Sequence, residues 1–161
     1  MAAVDYFLKI DGVEGESTDG KHKAEIDVES WSWGETQAGT FAGGGGGGAG
    51  KVSMQDFHFV MKVNKASPKL MLACATGQHI KKADLVCRRA GGEQQEYMKI
   101  SFADLLVSSY QTGGSAGDVV PVDQISLNFA KIEFEYKPQK VDGSLDAPVK
   151  TGYDLKQNKK V

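Results

Sequence analysis

Apolar and polar residues alternate with a period of two along most of this chain of 161 residues. Successive side chains of a β-strand point to opposite faces of the sheet, so strict alternation predicts a strand with one buried face. Near the start, YFLKI places Tyr6, Leu8 and Ile10 on one face, and VKTGYDL near the end alternates in the same way. Both segments are therefore predicted to be strands.

Three longer segments alternate but change phase part of the way along: EIDVESWSWG, VSMQDFHFVMKV and ISLNFAKIEFEY. A change of phase requires an extra residue, which a β-bulge supplies together with a local bend. Bends of this kind allow a sheet to close into a barrel. The predicted fold class is therefore all-β (β-rich), a closed or nearly closed β-barrel.

A hairpin is predicted where two alternating runs flank Gly91 and Gly92 in ADLVCRRAGGEQQEYMKISF. The apolar run LLVSS that follows is expected to extend the second of these strands past another irregularity. QTGGSAGDVVPVD then reads as a long loop before the strand at Ile125.

One segment, NKASPKLMLACATGQHI, lacks the alternation and predicts a short flanking α-helix over about 67–77. Ser67 is the expected N-cap, Pro68 suits the first helical position, and Gly77 ends the helix. Every position from Leu70 to Ala75 is apolar, which is wider than the stripe of about 100° that a surface helix buries. The helix either lies deep in the core or packs partly against another subunit.

Length and charge limit the remaining possibilities. The chain has the length of one domain, taken as 1–161, and its 19 Lys and Arg against 21 Asp and Glu give a net charge of -2. Such a balance provides no strong field to attract nucleic acid or an anionic membrane. Asp5 and Lys9 interrupt any signal-peptide pattern, and no apolar run approaches the roughly 18 residues of a membrane span. We expect cytoplasmic assembly, no nucleic acid and no membrane insertion.

The stretch FAGGGGGGAGKVS comes close to the phosphate-binding P-loop, in which a glycine-rich loop, a lysine and a hydroxyl residue cradle a nucleotide. Gly45, Gly50 and Lys51 match that pattern, but Val52 replaces the hydroxyl residue. The residues that follow alternate like a strand, whereas a P-loop opens a helix. We therefore predict a glycine-rich loop between two strands and no nucleotide site.

The remaining reactive side chains form no recognisable catalytic or metal-binding pattern. His22, His58 and His79 lack the spacing of metal ligands, and no serine lies in a G-x-S-x-G elbow. Cys74 and Cys87 are expected to be buried, reduced thiols. We predict no catalytic residues, no cofactor and no metal, and hence no enzyme.

Two further groups each allow a structural and a functional interpretation. The acidic loop DGVEGESTDGKH contains Asp11, Glu14, Glu16 and Asp19, but it lacks the spacing of a calcium loop and is expected to be a solvated polar loop. Trp31 and Trp33 lie on one face of their strand, either as core aromatics or as a ligand or subunit contact. We favour burial for both tryptophans.

The longer motifs, taken in order, resemble the Hcp family, the tube-forming protein of the bacterial type VI secretion system. They are GESTDGKHKAEIDVESWSWG, GGGGGGAGKVSMQDF, SPKLMLACATGQHI, CRRAGGEQQEYMKISFADLLVSSYQTGG, ISLNFAKIEFEYKPQK and VKTGYDLKQNKKV. The resemblance covers essentially the whole chain.

This resemblance implies a compact β-barrel of two antiparallel sheets with one short flanking α-helix, assembled as a homohexameric ring. The rings stack into a hollow tube, topped by a VgrG spike and wrapped by contractile sheath proteins. The tube carries secreted effectors in its lumen and leaves the cell without a signal peptide. By matching position, Ser32 becomes a candidate lumen residue. Candidates for the subunit interface or ring-stacking loop are Gly43, Gly45, Gly50, Lys51, Leu70 and Leu72. The alternative function is a monomeric ligand-binding β-barrel module, with Trp31 and Trp33 lining its pocket.

Overall fold

The computed structural model describes residues 3–39 and 51–161. These residues form eleven strands and one helix, so the all-β class with a single short helix is confirmed for the part of the chain that the structure describes. The elements in chain order are β1 (Val4–Ile10), β2 (Ile26–Val28), β3 (Ser30–Ser32), β4 (Glu35–Thr36), β5 (Ser53–Met54), β6 (Phe57–Lys62), α1 (Ala66–Thr76), β7 (Ile80–Arg89), β8 (Glu96–Gly113), β9 (Val122–Tyr136), β10 (Val149–Asp154) and β11 (Lys159–Lys160).

The described strands form two antiparallel sheets, as expected, and the larger one contains nine of them. Its order is β11-β10-β9-β8-β7-β1-β2, and β6 joins it by pairing with both β9 and β3. The pair of β4 and β5 makes a separate two-stranded sheet. The large sheet is strongly bent, because β2 pairs with β1 while β3 pairs with β6 and only Glu29 separates β2 from β3. The Glu29 N–H donates to the Val60 carbonyl at 2.8 Å, so β2 and β6 approach each other at Glu29. Because β2 and β6 are not paired as strands, the sheet formed by the described residues does not close into a continuous barrel.

The three predicted changes of phase have different causes. The first lies at Glu29, where the chain exchanges one partner strand for another, and the second lies between β5 and β6, which belong to different sheets. The third occurs at Ala130 and Lys131 inside β9, which remains one strand. Opposite this point β8 carries Asp104 at φ 51, a left-handed conformation that bends the strand. The register shifts themselves lie elsewhere, between Cys87 and Arg88 and between Val107 and Ser109.

The hairpin predicted around Gly91 and Gly92 is confirmed, because β7 and β8 pair across residues 90–95. The extension of its second strand is confirmed as well, since β8 continues to Gly113 beyond the shift at Val107. The loop that follows ends at β9, which begins at Val122.

Aromatic side chains fill the interior of the bent sheet. The Phe102 ring lies 4.8 Å from both the Phe57 and the Phe129 ring, measured between centroids. Helix α1 closes over this core with Leu70 and Ala73, which are 0% and 1% exposed. The core therefore combines β6, β8, β9 and α1 in one cluster.

The helix is confirmed almost where it was predicted, but its first turn differs from the prediction. Lys65 is the N-cap and contributes no side-chain cap, and its N–H donates instead to a Glu16 carboxylate oxygen at 2.9 Å. Ser67, predicted as the N-cap, lies inside the first turn, where its hydroxyl donates to the buried Asp123 carboxylate at 2.5 Å. Gly77 ends the helix at φ 63 as predicted.

Strand β10 lies near one end of the large sheet, where only the short strand β11 follows it. It pairs with β9 along its whole length, whereas β11 pairs only with Tyr153 and Asp154 on its other side. Among the described residues, 149–151 therefore have no strand partner on that side. The lysines Lys150, Lys159 and Lys160 lie along this edge.

We expect Gly15→Ala to destabilise the subunit by about 1–3 kcal/mol, because a Cβ at this position has no space. It would lie 2.5 Å from the Glu25 carbonyl oxygen, which is backbone and cannot move independently. The matched control is Gly20→Ala in the same segment, where an added Cβ meets nothing within 4 Å and the expected change is within about 0.5 kcal/mol. Urea unfolding followed by tryptophan fluorescence measures both, and equal midpoints for the two variants would contradict the prediction.

Candidate functional site

The outer surface of β3, β6, β9 and β8 is a continuous sheet face of small polar side chains. Pairing aligns Ser32, His58, Ser126 and Ser109 across the four strands in one row. A second row contains Ser30, the half-buried Val60, and then Gln124 and Gln111. We call this surface the polar sheet face. Hydroxyl, amide and imidazole groups dominate it.

Formal charges near the polar sheet face are held in pairs or hydrogen bonds at its margins. Asp56 accepts hydrogen bonds from the Ser108 hydroxyl at 2.7 Å and the Asn128 amide at 2.9 Å. At the other margin the Lys62 ammonium lies 3.9 Å from a Glu29 carboxylate oxygen. A chain in contact with the polar sheet face would therefore meet few unpaired charges.

Ser32, the predicted lumen residue, is exposed on the polar sheet face. Trp31 and Trp33 point the opposite way and are half-buried against the core, as the sequence favoured. The Trp31 ring meets Tyr6 edge-on at 6.1 Å between centroids and stacks on Phe57 at the same distance. Alternation along β3 thus separates a packed aromatic side from an accessible polar side.

An open groove of about 490 Å³ lies between the pair β4–β5 and the strands β9 and β10. Trp33 forms part of its wall, but Trp31 does not. The Trp33 indole N–H is buried and has no hydrogen-bond partner among the described residues. The lining residues are Trp33, Glu35, Gln37, Val52, Met54, Ile132, Phe134, Thr151, Gly152, Tyr153 and Lys160.

A second accessible apolar surface lies on helix α1. Met71 and Leu72 are 51% and 57% exposed, whereas Leu70 is 0% exposed and belongs to the subunit's own core. The helix therefore buries one part of its apolar run and leaves another part accessible. The two helix residues predicted for an interface lie in different environments, and only Leu72 is accessible to a neighbour.

The glycine-rich segment is described only in part. Gly43, Gly45 and Gly50, predicted as interface or stacking residues, lie outside the described residues. Lys51 is exposed, and the strand β5 follows it at Ser53. A strand in this position agrees with the rejection of a P-loop, which requires a helix.

A cluster of charged residues on the outer side of β1 and β7 was not predicted. Arg88 is 2% exposed, and its guanidinium donates to Asp19 at 2.7 and 2.9 Å and to Asp5 at 3.0 Å. The hydrogen bonds from Arg88 hold the pKa of Asp19 well below its usual range, and those same pairs raise the pKa of Arg88. Asp19 is therefore ion-paired, which corrects its interpretation as part of a solvated loop.

The only sequence signal for this cluster is the arginine pair that interrupts the apolar strand in ADLVCRRAG. Asp19 and Asp5, which contact Arg88, are 69 and 83 positions away from it along the chain, so no local sequence pattern predicts these contacts.

The remaining reactive groups are separated from one another. His58 contacts Ser126 at 3.1 Å and His79 contacts Asp104 at 3.0 Å. Residues 3–39 and 51–161 contain no group of three potential metal ligands and no helix long and apolar enough to cross a membrane. Both cysteines are free thiols; Cys87 is completely buried, which raises its pKa to about 12, and Cys74 is half-buried.

Comparison with known proteins identifies relatives along almost the full chain. Residues 7–136 match the family described as type VI secretion system effector, Hcp. The Hcp1 protein of Pseudomonas aeruginosa is 50% identical over 158 residues, covering 97% of this chain and 98% of its own. The crystal structure of Hcp1 from Salmonella typhimurium shares 38% identity with a TM-score of 0.82, covering 99% of this chain and 100% of its own. A structure titled as a type six secretion system protein shares 32% identity with a TM-score of 0.93, over the same fractions of the two chains.

We expect iodoacetamide to modify Cys74 in the folded protein at pH 8 and to leave Cys87 unmodified. The thiolate is the reactive form, and with a pKa of about 12 only about one Cys87 in ten thousand is ionised at that pH. Mass spectrometry of peptides after timed alkylation measures both rates, and urea-unfolded protein is the control in which both thiols react. Equal rates in the folded protein would contradict the burial of Cys87.

Proposed function

Because the chain belongs to the Hcp family of type VI secretion system effectors, we propose that it is a structural subunit of the secretion tube. In this proposal the chains form homohexameric rings, and the rings stack into a hollow tube that a contractile sheath expels beneath a VgrG spike. The tube assembles in the cytoplasm and is then secreted.

The observation that carries the proposal is the presence of two different accessible apolar surfaces on one subunit. One is formed by Met71 and Leu72 on α1, and the other is the groove with Phe134, which is 36% exposed. A ring closes through heterologous contacts, in which one patch of each subunit meets a different patch of the next. Two unlike surfaces satisfy this requirement. We propose that the exposed side of α1 in one subunit packs against the groove of its neighbour.

The position of the two surfaces in the fold suits such a contact. Helix α1 begins beside the start of β9, where Ser67 bonds to Asp123, whereas Phe134 lies near the other end of that strand. The intervening strand has a contour length of about 36 Å at about 3.3 Å per residue. Surfaces at opposite ends of a subunit can each meet a different neighbour, as a ring requires.

The polar sheet face supports the assignment of a lumen wall. Its serine and glutamine side chains offer hydrogen bonds without strong charge, so a cargo protein could be held there without a fixed ionic partner. Ser32 lies at the β3 end of one row and remains our candidate for effector contact. Lys51 remains a candidate for contact between rings, because it is exposed beside the glycine-rich segment.

We expect Leu72→Asp to prevent ring formation and to leave the subunit folded, because a carboxylate buried in an apolar contact is strongly unfavourable. Light scattering coupled to gel filtration measures the mass, and negative-stain electron microscopy shows whether six-fold rings form. Val119→Asp is the matched control, since Val119 is 99% exposed and lies outside both surfaces. Normal rings from Leu72→Asp would contradict the role of α1.

A mixing experiment then tests whether the two surfaces meet. Leu72→Asp retains the groove and Phe134→Asp retains the helix surface, so an equal mixture offers one intact contact. We expect a dimer from the mixture and monomers from each variant alone. Monomers in the mixture would show that these two surfaces do not form the same interface.

A second function, binding of a small ligand by the monomer, is favoured by one observation. The groove is open and is lined partly by apolar and aromatic side chains, among them Trp33, Met54 and Phe134. This function predicts quenching of Trp33 fluorescence by small aromatic or amphipathic compounds in the monomeric Leu72→Asp variant. Trp33→Phe is the control, because Trp31 lies outside the groove. Unchanged fluorescence across such compounds would exclude the groove as a ligand site.

A further inference from the structure

The charged cluster around Arg88 contains more carboxylates than its guanidinium can neutralise. The segment of residues 14–25 folds over the outer side of β1 and brings its own acidic residues to those of the sheet. Asp5 and Asp19 hold Arg88, so the remaining carboxylates need another partner. The charged groups facing this region are Asp5 of β1, Asp27 of β2, Arg88 of β7, Glu96 of β8, and Asp19, His22 and Glu25 of the covering segment.

His22 lies in the middle of this cluster. Its side chain is buried, with the residue 6% exposed, and its ring stacks on Phe7 at 4.3 Å between centroids. The Nδ1 atom is 3.0 Å from both carboxylate oxygens of Glu25, and the Nε2 atom is 2.6 Å from a Glu96 oxygen. Each ring nitrogen therefore faces a carboxylate.

Carboxylates at neutral pH only accept hydrogen bonds, so both ring nitrogens of His22 must donate. A neutral imidazole carries one N–H, whereas the imidazolium carries two. Only the doubly protonated ring can complete both contacts. It also adds a second positive charge, after that of Arg88, to a cluster that contains five carboxylates. A neutral ring would place a nitrogen lone pair against a carboxylate oxygen.

We propose that His22 is a proton-dependent latch. In its imidazolium form it joins Glu25 of the covering segment to Glu96 at the start of β8, and so holds residues 14–25 against the sheet. Loss of one proton breaks one of the two contacts, so that the ring no longer joins Glu25 to Glu96. The latch is therefore closed while the ring carries both protons, and it opens when a rise in pH removes one of them.

The covering segment connects the latch to the helix. Within the segment the Ser17 N–H donates to the Glu25 carbonyl at 3.0 Å and the Ala24 N–H donates to the Ser17 carbonyl at 2.8 Å. From the same segment, Glu16 accepts from the Lys65 N–H at the start of α1. The segment that His22 holds against the sheet is therefore also the segment that contacts the first turn of α1, through Glu16.

Two measurements on the full chain test the latch. Long-range ¹H–¹⁵N correlation spectra report the protonation of each ring nitrogen, and we expect both nitrogens of His22 to show imidazolium shifts at pH 7. Hydrogen exchange, corrected for the intrinsic pH dependence, should show protection of the Ser17 and Ala24 amides falling roughly tenfold between about pH 5.5 and 8.5. Neutral-imidazole shifts for His22 at pH 7, or protection that does not change with pH, would overturn the proposal.

Matched variants separate His22 from the other titrating groups. His22→Gln can donate on one side only, so we expect weak protection of the same amides at low pH and no further fall as the pH rises. His79→Gln removes an exposed histidine that contacts Asp104, and it should keep the wild-type pH dependence. Loss of the pH dependence in His79→Gln would contradict the assignment to His22. If His22→Gln does not fold, the ring-nitrogen shifts of the wild-type chain decide alone.

Discussion

The inward row of apolar side chains on β6, β8 and β9 is the constraint on which the rest of the structure depends. Phe57, Phe102 and Phe129 meet at its centre, and the alternating neighbours of these residues must then face outward. The polar sheet face is consequently formed by the residues that alternate with these apolar side chains along the same strands. A shift of one residue in β6 or β9 would exchange the two sides, exposing phenylalanine and burying serine and glutamine, so the register is strongly specified.

Local pattern was enough to predict the strands, the hairpin and the helix, because each depends on neighbours in the chain. It was not enough for the sheet topology, since the phase changes at Glu29 and between β5 and β6 arise where the chain changes partners. The helix illustrates the same limit. Its run of apolar residues predicted either a deep core position or a partial subunit contact. Only the packed structure shows that Leu70 is buried in the core and that Leu72 is exposed.

The candidate site was predicted less completely than the fold. Ser32 and the tryptophans lie on the sides that alternation assigns to them, whereas the groove depends on strands from both ends of the chain. The cluster at Arg88 was missed for a similar reason. Its carboxylates come from distant segments, and the burial of Phe7 on the second face of β1 results from a loop folding over the sheet.

The edge formed by β10 has a further consequence for how one copy of the chain meets another. An open strand edge offers unpaired backbone groups to any other edge, and such pairing continues without limit into aggregates. Here β11 covers part of the edge, and Lys150, Lys159 and Lys160 place positive charges along it. Lysine side chains on an exposed edge disfavour pairing between two identical edges. The backbone at this edge is therefore protected from open-ended strand addition, which leaves the side-chain surfaces as the places where another protein can bind.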